Sequence, residues 1–140
     1  MTGKARILVV EGETPVAMMM VNVLTQAGCD VRVAPTGRKG MELVQESKFD
    51  LIVLDTDLPD ADGFEICGEL KQGQLSRHTT IVFISGRSSE KDRQHGLELG
   101  AADYIEKPFG ASDFVRRILS HIAYGTASRL TGTISEKSIA

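Results

Sequence analysis

The sequence predicts a doubly wound α/β domain, in which a five-stranded parallel sheet is flanked by five helices. Short apolar runs alternate with stretches of helical periodicity along the chain. Three of these runs are continuous and rich in branched residues, which is typical of strands buried on both faces of a parallel sheet. The length of 140 residues suits a single compact domain. Strands and helices that alternate in this way form a parallel sheet because right-handed crossovers place helices on both of its faces.

The five apolar runs predict the strands, and the intervals after them predict the helices. In chain order the runs are residues 7–10, 31–33, 51–54, 81–84 and 104–105, and the last of them is the weakest. In the intervals, apolar residues recur at helical spacings. These helical markers are Val16, Met20, Val23, Leu24 and Ala27; Met41, Leu43 and Val44; Phe64, Ile66, Cys67 and Leu70; Leu97 and Leu99; and Phe114, Val115, Ile118, Leu119 and Ile122.

Local signals predict the ends of the first helix and of the domain. We expect Thr14 to cap the first helix, Pro15 to occupy its first position and Gly28 to end it. After Tyr124 the chain becomes small and polar, so we expect the domain to span residues 1–124. Residues 125–140 are predicted to be a polar tail or a truncated linker.

Composition excludes several classes of function. The net charge of -3 provides no basic patch, so direct binding of nucleic acid is not expected. No apolar run approaches the roughly 20 residues that span a bilayer, and no secretory segment precedes the first strand, so membrane insertion is not expected. Cys29 and Cys67 lack a metal-ligand spacing. We interpret both as reduced structural residues of a cytoplasmic protein.

Polar residues follow four of the predicted strands. The carboxyl ends of parallel strands meet at one edge of the sheet, where ligands of such folds bind. Solvation alone explains any one polar residue at a strand end, but it explains poorly why these residues complement one another. They are Glu11 and Glu13 after the first strand, Asp55 and Asp57 at the third, Ser85 at the fourth and Lys107 at the fifth.

Together these groups can support phosphoryl transfer to a carboxylate. A carboxylate that attacks an anionic phosphoryl group needs positive charge placed beforehand. Asp55 is the candidate nucleophile, Lys107 the counter-charge and Ser85 a hydroxyl donor. A Mg²⁺ ion held by carboxylates would bridge the nucleophile and a phosphoryl oxygen.

Four segments resemble the landmark segments of response-regulator receiver domains, in particular those of stand-alone, chemotaxis-regulator-like members. They are Ile7 to Glu13, Leu51 to Gly63 (LIVLDTDLPDADG), Ile84-Ser85, and Gly100 to Phe109 (GAADYIEKPF). The resemblance covers roughly residues 5 to 124. It implies a flavodoxin-like strand order of 2-1-3-4-5.

The resemblance also implies a role for each site residue. Asp55 would be the phosphoacceptor, Ser85 the switch hydroxyl and Lys107 the phosphate-binding lysine. Tyr104 would be the aromatic residue whose rotamer responds to the switch. The backbone carbonyl of Asp57 would bind the metal, and the Lys107-Pro108 bond would be cis.

The partners that the resemblance implies are proteins. Such domains take a phosphoryl group from a sensor histidine kinase or a histidine phosphotransfer protein, and many accept small-molecule donors. The signal is read by a downstream protein on the face made by helix 4, strand 5 and helix 5. The new hydrogen bond from Ser85 would shift a pre-existing two-state equilibrium. Faces of this kind often dimerise, so a homodimer is compatible with the resemblance.

One position departs from the family pattern. The family has two adjacent acids after the first strand, and the second ligates the metal, whereas this chain has Glu11 followed by Gly12. The longer Glu11 or the side chain of Asp57 would have to compensate. Glu13 is expected to face away from the site, near the start of the first helix. Loss of the ligand leaves open a degenerate receiver that binds a partner without phosphorylation.

Two other classes of protein share part of this sequence pattern. The segment from Leu51 to Asp57 resembles the DxD loop of haloacid-dehalogenase-type phosphatases, but those place the loop after the first strand. A flavodoxin-like flavin carrier would need a phosphate-cradling first loop, and here that loop is acidic.

We interpret Arg87 as a solvated loop charge, with tuning of phosphoryl lifetime as the alternative. We interpret the three histidines as surface residues without a catalytic role: His78, His95 and His121.

Overall fold

The predicted alternation of strands and helices is present in the structure. The computed structural model describes residues 3–130, and it describes their side chains up to residue 122. In chain order the elements are β1 Arg6–Val10, α1 Thr14–Gln26, β2 Asp30–Ala34, α2 Gly37–Glu46, β3 Leu51–Asp55, α3 Gly63–Leu70, β4 Thr80–Ser85, α4 Glu90–Glu98, β5 Asp103–Glu106 and α5 Ala111–Leu130.

The five strands form one parallel sheet in the order β2-β1-β3-β4-β5, as predicted. The register places Asp55, the last residue of β3, opposite Ile84 of β4. Ser85 of β4 in turn lies opposite Glu106 of β5. Because the strands run the same way and end at similar heights, the residues that follow them meet at one edge of the sheet.

Alternate residues of the central strands enter two separate cores. Leu8, Ile52 and Phe83 belong to the core that also contains apolar residues of α2 and α3. Val9 and Val53 face the other way, into the core that α1 and α5 cover. A strand whose residues all enter one core or the other must be apolar throughout, which explains the continuous runs in the sequence. Both cysteines are buried and free, as predicted.

The ends of the helices differ in two places from the prediction. Glu13, not Thr14, is the N-cap of α1: its backbone is extended and its carbonyl already accepts the first helical bond, from Ala17 N–H. Pro15 therefore occupies the second helical position rather than the first. Gly28 ends the helix with a positive φ of 96°, as expected. At the other end of the chain, α5 continues past Tyr124 as far as Leu130. The remaining part of the expected tail, 131–140, lies outside the described residues. No helix within residues 3–130 is long and apolar enough to cross a bilayer.

Candidate functional site

The carboxyl ends of β1, β3, β4 and β5 enclose an open pocket of about 430 Å³. The pocket contains five of the polar residues that the sequence places at strand ends, and Ser85 is buried directly beside it. The residues that line it are Glu11, Gly12, Glu13, Asp55, Asp57, Leu58, Pro59, Gly86 and Lys107.

Lys107 lies at the centre of the charges in this pocket. Its Nζ is 3.0 Å from Glu11 Oε1, 3.2 Å from Asp55 Oδ2 and 3.6 Å from Glu13 Oε1. Burial acts to lower the pKa of Lys107, but the neighbouring carboxylates of Glu11 and Asp55 outweigh it and raise that pKa. The backbone N–H of Lys107 donates to Ser85 O at 2.7 Å, and the Lys107-Pro108 bond is cis, as predicted. The ammonium group is therefore positioned from β4 and β5 and stays charged at neutral pH.

Glu11 is a carboxylate with almost no exposed surface. Its Oε2 accepts the Glu13 N–H at 2.9 Å, whereas the buried Oε1 has no hydrogen bond within the described part of the chain. Oε1 does form the ion pair with Lys107, but outside hydrogen-bond geometry. Burial is the main cause that raises the pKa of Glu11, and the nearby Asp55 adds to the effect. Glu11 thus carries a charge that is only partly compensated.

Glu13 faces the site, contrary to the expectation that it would face away. Its side chain is exposed, but it lines the pocket and pairs with Lys107. The physical reason is that Glu13 is the N-cap of α1 and has an extended backbone. It therefore lies beside the lysine rather than on the first turn of the helix, and its side chain makes no cap hydrogen bond.

Asp55 is held by Lys107 and by the residues that follow β3. It is buried, its Oδ2 accepts a hydrogen bond from Lys107 Nζ, and its Oδ1 accepts the Asp57 N–H at 3.2 Å. Gly63, at the start of α3, packs directly against the backbone behind it. A Cβ on Gly63 would lie 2.1 Å from Asp55 O and 2.8 Å from Thr56 Cα. Position 63 therefore requires glycine for packing.

The side chain of Asp57 is engaged by an arginine. Arg87 donates to Asp57 Oδ1 from Nη2 at 2.6 Å and from Nε at 3.1 Å. Arg87 is the main cause that lowers the pKa of Asp57. The same guanidinium lies over the ring of Phe64, 5.3 Å from its centroid. The interpretation of Arg87 as a solvated loop charge is therefore wrong, because a carboxylate and an aromatic ring both hold it.

Ser85 and Tyr104 are connected through the loop after β4. Ser85 has no exposed surface, and its Oγ accepts the Arg87 N–H at 2.9 Å. Tyr104 is buried, and its hydroxyl donates to Arg87 O at 2.9 Å. Ser85 Oγ also lies 2.6 Å from Thr56 Oγ1. Any displacement of Ser85 would thus affect residues that also contact Tyr104.

Gly12, which has no side chain to bind a metal, is also closely packed. A Cβ at this position would lie 3.0 Å from Pro59 Cδ and 3.2 Å from Pro35 O. An acid there would need the loop after β3 to shift. Glycine at position 12 is therefore consistent with the packing of both neighbouring prolines.

The donor set fits Mg²⁺ with fewer carboxylates than usual. Within residues 3–130, no group of three or more His, Cys, Asp and Glu side chains is placed to hold a metal. Mg²⁺ is commonly bound by one or two carboxylates together with waters and phosphate oxygens. Glu11 and Asp55 supply two carboxylates, and the buried Glu11 Oε1 forms the ion pair with Lys107 but no hydrogen bond. The backbone carbonyl of Asp57 would be the third protein ligand.

Some of the contacts in the site were not anticipated from the sequence. No role was predicted for Thr56, although a hydroxyl residue between the two aspartates Asp55 and Asp57 at a strand end is a usable signal. His121 is not a simple surface residue, because its Nε2 lies 3.2 Å from Asp103 Oδ2. His95 packs edge-on against Phe64. Neither histidine lines the pocket that contains Asp55.

The strand order and the acidic pocket with its lysine define a class of protein: flavodoxin-like α/β domains with carboxylates at the carboxyl edge of the sheet. Within that class the family is shown by direct comparison. The chain matches the family model of the response regulator receiver domain over residues 7–119 and belongs to that family. Receiver domains are phosphoacceptors of two-component signalling and generally not turnover enzymes.

Solved structures of receiver domains are similar over almost their whole length. The BeF3-activated receiver domain of DrrB, a protein of Thermotoga maritima, is 28% identical with a TM-score of 0.78; the match covers 86% of this chain and 98% of that one. A CheY-like receiver protein from Methanospirillum hungatei is 25% identical with a TM-score of 0.81, over 87% and 96%. The chemotaxis regulator CheY4 of Vibrio cholerae is 25% identical with a TM-score of 0.80, over 84% and 98%.

Proposed function

We propose that this receiver domain accepts a phosphoryl group on Asp55 from a sensor histidine kinase or a histidine phosphotransfer protein. The observation that carries the proposal is the placement of Lys107 Nζ 3.2 Å from Asp55 Oδ2, at the edge of an open pocket. The lysine would neutralise charge on an incoming phosphoryl oxygen, which a lone carboxylate would repel. Asp55 would attack the phosphorus atom through a carboxylate oxygen, and the donor histidine would leave with the electrons of the broken bond.

A bound Mg²⁺ would supply further positive charge between the nucleophile and a phosphoryl oxygen. We propose that Glu11, Asp55 and the carbonyl of Asp57 hold it. The Asp57 side chain, which was a candidate to replace the ligand missing at Gly12, pairs with Arg87 instead. Glu11 is the better candidate, because its Oε1 is buried in the pocket and forms the ion pair with Lys107 but no hydrogen bond.

We further propose that the output is read on the face formed by α4, β5 and α5. Tyr104 joins the site to this face: its hydroxyl bonds Arg87 O, and Arg93 of α4 lies 5.4 Å from its ring centroid. Arg93 also pairs with Glu106 of β5 at 2.6 Å. A rotation of the Tyr104 ring would thus disturb an ion pair at the surface. The partner would be a downstream protein or a second copy of the chain, and the compartment would be the cytoplasm.

Intact mass after incubation with acetyl phosphate tests the proposal. We expect a gain of one phosphoryl group with Mg²⁺, no gain with chelator, and no gain in Asp55→Asn. Asp50→Asn controls for a change of the same type at an aspartate outside the pocket. Absence of the gain with acetyl phosphate and with a phosphohistidine protein would contradict phosphorylation.

A second candidate function is that of a degenerate receiver that binds its partner without phosphorylation. The observation in its favour is Gly12, together with a lysine already paired by three carboxylates. In that case Asp55→Asn would leave binding to the partner unchanged. The proposed function instead requires that Asp55→Asn abolish the phosphoryl-dependent change in binding.

A further inference from the structure

Thr56 is a buried hydroxyl whose position is fixed by its backbone. The residue has no exposed surface. Its N–H donates to Ile84 O of β4 at 3.1 Å, and its carbonyl accepts the Gly63 N–H at 2.8 Å. Strand β4 and the start of α3 therefore both hold it in place. These two backbone hydrogen bonds, rather than contact with solvent, determine where its side chain lies.

The hydroxyl of Thr56 lies between two polar groups. Its Oγ1 is 2.6 Å from Ser85 Oγ and 3.2 Å from Asp57 Oδ2. The Arg87 guanidinium forms an ion pair with Asp57 at 2.6 Å, so the Asp57 carboxylate is placed to accept hydrogen bonds. A hydroxyl has one proton to donate. Both contacts are hydrogen bonds only if Thr56 donates to Asp57 and Ser85 donates to Thr56.

We propose that Thr56 is a positioning residue that holds the proton of the Ser85 hydroxyl in a chain ending on Asp57. The inference rests on the proposed function, in which Ser85 donates to a phosphoryl oxygen on Asp55. Ser85 must then release Thr56 before it can make that bond. Thr56 thereby favours the unphosphorylated arrangement of the site. The second bond of Ser85 Oγ, which it accepts from the Arg87 N–H, depends on the same orientation.

Removal of the Thr56 hydroxyl tests this role. Beryllofluoride is a phosphoryl analogue, and its binding to the full chain with Mg²⁺ is measured by ¹⁹F NMR. Thr56→Val keeps the shape of the side chain without its proton. We expect it to tighten beryllofluoride binding about two- to twelvefold, the value of one neutral hydrogen bond. Thr56→Ser restores the hydroxyl and should bind like the wild type.

The same substitution in a Ser85→Ala background separates positioning from packing. Without the Ser85 hydroxyl there is no proton for Thr56 to hold, so Thr56→Val should leave the dissociation constant unchanged there. An equal change in both backgrounds would overturn the proposal. Unchanged or weaker binding by Thr56→Val in the wild-type background would also overturn it.

A second measurement needs no phosphoryl analogue. Hydrogen exchange of the Arg87 N–H reports on its acceptor, Ser85 Oγ, and should be faster in Thr56→Val than in Thr56→Ser. The Lys107 N–H is the internal control, since its acceptor is the Ser85 carbonyl. Equal Arg87 exchange in the two variants would overturn the inference. Absence of beryllofluoride binding and of phosphorylation in the wild type would instead contradict the proposed function.

Discussion

At the scale of single residues, the site brings more negative charge together than its one lysine neutralises. Three carboxylates pair with Lys107, and the innermost, Glu11, is almost fully buried. Burial of a charge without full compensation costs folding free energy. A protein that retains such a group usually does so for binding or chemistry rather than for stability. Glu11 is therefore a residue whose removal should make the fold more stable.

We expect Glu11→Gln to raise the free energy of unfolding at pH 7 by on the order of 1 kcal/mol. The amide carbonyl can still accept the Glu13 N–H, and the buried charge is gone. Because folding raises the pKa of Glu11, its ionised form destabilises the fold above the folded pKa. That destabilisation decreases as pH falls and is absent below the unfolded pKa of about 4.3.

Urea unfolding at several pH values measures the effect of Glu11→Gln. The difference from wild type should be largest near neutral pH and should vanish at about pH 4 or below. Glu13→Gln is the matched control, since it makes the same change on an exposed carboxylate at the same lysine. Its effect should stay within about 0.5 kcal/mol. A destabilising effect of Glu11→Gln at pH 7 would refute the idea of an uncompensated charge.

Gly63 is a second residue whose role lies in packing against the site. We expect Gly63→Ala to lower the free energy of unfolding by about 3 kcal/mol, because its Cβ would overlap Asp55 O. Gly68→Ala is the control within the same helix, where a Cβ meets nothing within 4 Å. It should be neutral or stabilise by up to about 1 kcal/mol. Equal thermal unfolding midpoints of the two variants would contradict this account of position 63.

At the scale of elements, β5 and α5 are joined by a partly buried cluster of charges. Asp103, the first residue of β5, accepts hydrogen bonds from Arg117 Nη2 at 2.6 Å and Nε at 3.2 Å. It also contacts His121 Nε2 and accepts the Tyr104 N–H. Burial acts to raise the pKa of Asp103, but these hydrogen bonds outweigh it and lower that pKa. The carboxylate therefore stabilises the attachment of α5 to the edge strand.

We expect Asp103→Asn to lower the free energy of unfolding at pH 7 by about 1–2 kcal/mol, a value reduced for partial exposure. Since folding lowers the pKa of Asp103, its stabilisation is present above the unfolded pKa of about 3.9 and is lost as pH falls through the folded pKa. Asp113→Asn is the control, because Asp113 also pairs with Arg117 but is more exposed. Chemical denaturation between pH 3 and 7 should show a loss for position 103 that is much larger than for position 113.

The elements were the most predictable part of the molecule. All five strands followed from apolar runs, which are longest where a strand is buried on both faces, and the strand order followed from the resemblance to receiver domains. The strand ends also placed Asp55, Ser85 and Lys107 together correctly. The orientation of Glu13 and the pairing of Asp57 with Arg87 were not predicted. Side-chain directions of this kind depend on contacts between residues far apart in the sequence, and no local pattern records them; Arg87 and Asp57 are 30 positions apart.

At the scale of the whole molecule, the sheet separates two cores that serve different parts of the proposed function. The core under α2 and α3 contains Phe83 and Tyr104, whose rings lie 6.1 Å apart. Gly96 lets α4 approach these rings closely, since a Cβ there would lie 3.0 Å from Tyr104 Cδ2. The core under α1 and α5 contains no residue of the pocket. We therefore expect the conformational response to lie on the first face and the second to act as a rigid support.

The part of α5 that enters this second core determines the shortest chain that folds stably. Ile122 is the last residue of α5 whose side chain the structure describes, and it enters this core; the helix backbone continues to Leu130. A chain that ends after Tyr124, the predicted domain boundary, should have a free energy of unfolding within about 0.5 kcal/mol of that of the full chain. A chain that ends after Leu119 loses Ile122 and the contact of His121 with Asp103. It should lose about 2–3 kcal/mol, the value of one buried isoleucine. Urea midpoints of the three chains measure this boundary, and an equally large loss on cutting after Tyr124 would extend the stabilising part of α5 beyond it.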